Sequence, residues 1–105
     1  MNRWQAAART EEIAPGRPKT VEIQSLRIAL FKIEGDEKIY AIQDLCTHDE
    51  STLADGFQDN DEIECARHGA RFKIRTGAVT AMPAVTPVRT FETRTANGLI
   101  EVLIP

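Results

Sequence analysis

Apolar residues in this chain recur mostly at every second position, in short runs separated by turn-forming residues. Residues 20–23 (Thr-Val-Glu-Ile) alternate with period two, and residues 26–33 form a second run that ends at the turn Glu34-Gly35-Asp36. Residues 38–43 carry Ile39, Tyr40, Ala41 and Ile42 and lead straight to Cys46. Residues 61–65 set Ile63 and Cys65 against Glu62 and Glu64, and residues 71–74 place Phe72 and Ile74 on one face. Residues 88–95 are rich in β-branched side chains, and Asn97-Gly98 is a strong two-residue hairpin signal. Residues 99–104 then alternate Ile100, Val102 and Ile104. Short strands with turn chemistry between them predict an all-β sandwich or barrel. The one helical candidate is a single turn at residues 10–13, stopped by Pro15-Gly16. Residues 81–87 hold two prolines and cannot be a central strand.

Length and charge narrow the function classes. A chain of 105 residues is expected to be one domain. A formal charge of −3 argues against nucleic acid as a partner, because phosphate binding needs a basic surface. Ile28-Ala29-Leu30-Phe31 is as long as any apolar run, whereas a membrane-spanning helix needs about 20 apolar residues. The segment Met1-Asn2-Arg3-Trp4-Gln5 has no hydrophobic signal region, so a cytoplasmic protein without a membrane anchor is expected. Charge is unevenly spread: residues 34–64 hold eleven acidic side chains and one basic one, Lys38. That stretch reads either as a solvated face or as an acidic docking surface around Asp44, Asp49, Glu50 and Asp55. Arg67 and Arg71 read either as partners of these acids or as groups that orient another protein. Trp4 is expected to pack.

The chemistry is concentrated in two short segments. Cys46-Thr47-His48 and Cys65-Ala66-Arg67-His68 contain both cysteines and both histidines of the chain, in the pattern C-x-H-x16-C-x2-H. Both pairs directly follow predicted strands, on loops. Cysteines in a reducing compartment are more often metal ligands or catalytic groups than disulfide partners. A catalytic Cys–His dyad leaves the second pair unexplained. Two thiolates and two imidazoles suit either a tetrahedral zinc site or a Rieske-type [2Fe–2S] centre. Typical zinc motifs pair C-x2-C or H-x3-H, which these loops do not.

The pattern resembles that of small Rieske ferredoxins, the electron carriers of multicomponent aromatic-ring dioxygenases. The resemblance runs along essentially the whole chain, with weight on residues 38–88. It implies a Rieske-type antiparallel β-sandwich or barrel with a cluster-binding part at about residues 44–87. It implies one [2Fe–2S] cluster whose ligands are Cys46, His48, Cys65 and His68, with the cysteines on the buried iron and the histidines nearer the surface. Residues 81–87 look like the family's proline loop over the cluster. The implied partners are a flavin-containing, NAD(P)H-dependent reductase and a terminal oxygenase, with the chain a monomeric component and not itself a catalyst. The second reading within the family is the small subunit of assimilatory nitrite reductase, which often lacks the ligands that this chain keeps. A zinc-stabilised interaction module is the reading from another class. Two departures stand out: Asp49 follows the first histidine, where the family commonly has Gly, and Ala66 follows the second cysteine, where it commonly has Pro. High-potential members carry Ser two residues and Tyr four residues after the second histidine. Here those positions are Ala70 and Phe72, so a potential near the low end of the Rieske range, about −150 mV, is expected.

Overall fold

The computed structural model describes residues 2–47, 51–84 and 86–105. Among these residues, eleven short strands build three antiparallel sheets. Strands β2 (Lys19–Ile23), β3 (Leu26–Lys32), β4 (Ile39–Gln43) and β9 (Thr90–Phe91) form the middle sheet, in the order β2-β3-β4-β9. Strands β1 (Arg3–Arg9), β11 (Leu99–Ile104) and β10 (Thr93–Ala96) form a second sheet, in the order β1-β11-β10. Strands β5 (Phe57–Asp59), β6 (Glu62–Glu64), β7 (Arg71–Lys73) and β8 (Val79–Ala81) form a third, in sequence order. A 3-10 turn occupies Thr10–Glu12, where the sequence predicts one helical turn. No helix of the described residues is long and apolar enough to cross a membrane.

The middle sheet is buried on both faces, which explains the unbroken apolar run in β3. Side chains alternate across a strand, so a polar residue at every second position is needed only where one face meets water. Ile28 and Leu30 face one way, into a core with Ala8, Ile13, Ile39, Ala41, Phe91, Ile100, Val102 and Ile104. Ala29 and Phe31 face the other way, into a core with Ile33, Ile42, Leu53, Ile63, Ala70, Phe72, Ile74, Ala84 and Val88. Cys46 and Cys65 belong to this second core.

Three strands escape the sequence pattern. β1 is rich in alanine, a weak strand former, and is held extended by pairing with β11 from Arg3↔Ile104 to Arg9↔Leu99, with a bulge between Ala6 and Ala8. β5 and β8, three residues each, are the two edges of the third sheet and are held extended by β6 and β7 beside them. The single run expected over residues 88–95 is split: Thr90–Phe91 pairs with β4, whereas Thr93–Ala96 pairs with β11. Glu92 lies at the corner where the chain changes sheet. Trp4 packs, its ring 4.3 Å from the Arg94 guanidinium carbon.

Among the described residues three hairpins close with two-residue turns, at Gln24-Ser25, Asn60-Asp61 and Asn97-Gly98. Asn97 and Gly98 have φ of 53° and 79°, the left-handed pair that a type I′ turn needs. Between Ile23 and Leu26 the same task falls to Gln24 (φ 51°) and Ser25 (φ 69°), residues that resist this conformation. Replacing Gln24-Ser25 by Asn-Gly is therefore expected to stabilise the fold by roughly 1 kcal/mol, raising Tm by about 4–8 °C for a chain of this size. A differential-scanning measurement showing no rise would mean that the turn tolerates its residues without cost.

Candidate metal centre

The first ligand loop leaves the end of β4 and is fixed from within by Asp44. Asp44 is almost fully buried, the only charged side chain so placed among the described residues. Its Oδ1 accepts hydrogen bonds from the backbone N–H groups of Leu53 (2.7 Å) and Ala54 (2.8 Å), and its Oδ2 accepts one from the Thr20 hydroxyl (2.9 Å). A buried carboxylate that satisfies several donors pins both ends of a loop to the sheet behind it. The Cys46 N–H donates to the Ser51 carbonyl at 2.7 Å and the Thr47 hydroxyl to the Thr86 carbonyl at 2.6 Å, which ties this loop to the proline-bearing segment.

The second loop is a tight turn between β6 and β7. The Cys65 N–H donates to the Ala70 carbonyl at 2.7 Å, and the Gly69 N–H to the Cys65 carbonyl at 3.1 Å. Gly69 adopts φ 76°, a conformation that a residue with a Cβ takes reluctantly. The turn sinks Cys65 into the core and leaves Ala66, Arg67 and His68 exposed. Pro83 lies in a third segment, whose return is set by Gly77: a Cβ there would sit 2.1 Å from the Val88 carbonyl oxygen, and the Val88 N–H donates to the Gly77 carbonyl at 2.9 Å.

The fold brings the two cysteines together. Both are buried thiols without a disulfide, and the Cys46 side chain lies within hydrogen-bonding reach of Cys65. The Ser51 hydroxyl sits 3.2 Å from the Cys65 sulfur. Burial pushes the Cys65 thiol up, but the Ser51 hydroxyl, the Arg67 backbone N–H, the Cys46 thiol and the His68 backbone N–H outweigh it, and the net shift is downward. Such surroundings favour a thiolate, the form that binds metal. His68 is placed at the exposed rim, while His48, with Asp49 and Glu50, lies outside the described residues. Among the described residues no three His, Cys, Asp or Glu side chains converge on one point. The donor set thus fits a two-iron centre: a pair of adjacent sulfurs at a buried end and an imidazole at an exposed one.

Much of the acidic stretch is already spoken for. Arg71 lies 2.9 Å from Asp59, 3.0 Å from Glu62 and 3.6 Å from Glu64. Lys73 reaches Asp61 (3.3 Å) and Glu62 (3.4 Å), and Arg75 reaches Asp36 and Asp61, each at 3.2 Å. The Tyr40 hydroxyl, the Lys38 backbone N–H and the Arg75 guanidinium hold the Asp36 carboxyl down at about 2. An acidic docking face that includes Asp44 is therefore corrected: Asp44 is buried and holds the loop. Of the two readings of Arg71, the structure selects pairing with acids. Nothing along the chain marks Ser51 as a neighbour of Cys65, since only the fold carries it across from the other loop.

Residues 3–92 match the Rieske [2Fe-2S] domain. The chain belongs to this family. Its cofactor is a Rieske-type [2Fe–2S] cluster, and the all-β fold is that of its relatives. The ferredoxin component of the naphthalene 1,2-dioxygenase/salicylate 5-hydroxylase systems of Ralstonia sp. is 35% identical over 94 residues, covering 90% of this chain and 88% of the relative. The ferredoxin of carbazole 1,9a-dioxygenase from Nocardioides aromaticivorans IC177 is 35% identical, with a TM-score of 0.87 over 94% of this chain and 95% of that one. A ferredoxin solved in complex with the reduced oxygenase of carbazole 1,9a-dioxygenase is 29% identical, with a TM-score of 0.86 over 94% and 91% of the two chains. A Mycobacterium tuberculosis chain described as a nitrite reductase small subunit shares the fold alone, at 19% identity and a TM-score of 0.84 over 100% and 97%.

Proposed function

We propose that the chain is the one-electron carrier of an aromatic-ring dioxygenase system. It takes an electron from a flavin-containing, NAD(P)H-dependent reductase and delivers it to a terminal oxygenase. The observation that carries this reading is the pair of buried, adjacent cysteines behind an exposed His68, in a Rieske chain whose relatives are dioxygenase ferredoxins. The ligands are Cys46, His48, Cys65 and His68. A bound [2Fe–2S] cluster supplies a centre that gains and loses one electron. The chain's own residues seat that centre, keep water from its sulfur end through Leu53, Ala70, Phe72 and Ala84, and open its imidazole end to a partner. The whole chain acts as one domain, a monomer in the cytoplasm, where nicotinamide-dependent reductases work and thiols stay reduced.

Two exposed apolar side chains support an interface at that end. At the ligand end of the third sheet, Phe57 pairs across from Glu64 and Ala81 from Arg71. Phe57 on one edge strand and Met82 just beyond the other are 64% and 79% exposed, on either side of the turn that carries His68. A carrier must release each partner, so the interface is small and transient. The protein purified under anaerobic conditions should contain two irons and two acid-labile sulfides. With reductase and NAD(P)H it should sustain oxygenase turnover of an aromatic substrate. One zinc, no iron and no colour would overturn the reading. Met82→Asp should slow electron delivery to the oxygenase about tenfold, the loss of about 1.4 kcal/mol of docking free energy, with the potential unchanged. Stopped-flow rates equal to those of the wild type would move the contact away from Met82.

A further inference from the structure

We propose that Ser51 sets the reduction potential of the centre by donating a hydrogen bond to the sulfur of Cys65. The proposal rests on Cys65 being a cluster ligand. The Ser51 hydroxyl lies 3.2 Å from Cys65 Sγ, and by distance alone either group could donate. Ligation decides the direction. A cysteine sulfur bound to iron has no proton, so it can only accept, and the Ser51 O–H becomes the donor.

The hydroxyl is placed by the frame of the first loop and not by chance rotation at the surface. The Ser51 carbonyl accepts the Cys46 N–H at 2.7 Å, and two residues on, the Leu53 and Ala54 N–H groups are held by the buried Asp44 carboxylate. Ser51 is itself half-buried, and Cys65 is fully buried. Around the same sulfur end, Ala70 and Phe72 are buried and bring no hydroxyl. Beside the backbone N–H groups of the second loop, Ser51 therefore supplies, from the opposite loop, a hydroxyl donor that Ala70 and Phe72 cannot.

The sign of its effect follows from charge. Reduction adds one negative charge to the centre, and part of it resides on the ligand sulfurs. A donor aimed at such a sulfur stabilises the reduced state more than the oxidised one, so it raises the potential. The value expected from Ala70 and Phe72 alone is thus too low for this chain. A higher potential makes the carrier easier to reduce and weakens its onward push, so Ser51 divides the driving force between the two steps of the relay.

The test compares wild type, Ser51→Ala and Ser51→Thr by spectroelectrochemical titration, with iron counted in each sample. Loss of the hydroxyl should lower the equilibrium constant for reduction about tenfold, a 59 mV fall for a one-electron couple. The threonine variant should recover most of the fall, which a merely structural role would not produce. In the wild type the iron–thiolate stretching bands should also move on transfer to D2O, a readout that survives if Ser51→Ala fails to load iron. Equal potentials in all three proteins at full iron content, or thiolate bands indifferent to D2O, would overturn the role of Ser51. A wild-type protein that holds no two-iron centre would instead overturn the reading of the site.

Discussion

Cys65→Ser protein is expected to emerge colourless, without iron, and with the ligand half of the fold loosened. Cys65 lies in a core with Cys46, Leu53, Ala70 and Ala84, and its N–H donates to the Ala70 carbonyl while its carbonyl accepts the Gly69 N–H. Metal binding closes two loops onto one point, so its free energy is also folding free energy for those loops. Serine removes the thiolate and leaves a hydroxyl in an apolar site, which costs about 1–3 kcal/mol in its own right. The loss should be local. The core of Ile28, Leu30, Ile39, Phe91 and Ile100 includes no residue of either ligand loop, and amide hydrogens of β3, β4 and β11 should stay protected while those of β6 and β7 exchange. Full iron retention by the serine variant would remove Cys65 from the ligand set.

Asp44→Ala should be the most damaging change outside the ligands. It strips the acceptor from the Leu53 and Ala54 N–H groups and from the Thr20 hydroxyl, with Leu53 fully buried and Ala54 half-buried. A buried donor left without a partner costs about 1–3 kcal/mol, so the variant should lose about 3–5 kcal/mol in urea unfolding. Asp44→Asn keeps the Oδ1 acceptor and turns its amide toward Thr20, whose hydroxyl can accept, so its loss should be much smaller. Equal losses in the two variants would show that charge, and not hydrogen bonding, holds the loop.

The strands that could be read from the sequence are those whose residues must alternate because one face is wet, as in Leu99–Ile104, or be apolar throughout because both are dry, as in β3. The strands that could not be read owe their shape to a distant partner. β1 is extended because β11, over ninety residues later, lies beside it, and nothing in Ala6-Ala7-Ala8 announces that. The four ligand candidates could be found by spacing alone, since two Cys–His pairs rarely arise by accident. Their surroundings could not. Asp44 looks like one more acid in an acidic stretch, yet it is the buried peg of the loop. Counting charges along residues 34–64 also misses that Arg71, Lys73 and Arg75 lie on the strand and turn beside those acids and neutralise them. Ser51 is invisible for a related reason: fourteen residues separate it from Cys65, and only the closed loops bring them within contact.

The two-sided burial of β3 divides the labour of neighbouring positions. Leu30 and Phe31 are adjacent codons, yet they belong to different halves of the molecule. Drift at Leu30 is judged by how well the base holds together, and drift at Phe31 by how well the sulfur end stays dry. A lineage can therefore retune its redox half through every second residue of one strand while leaving the supporting half unchanged.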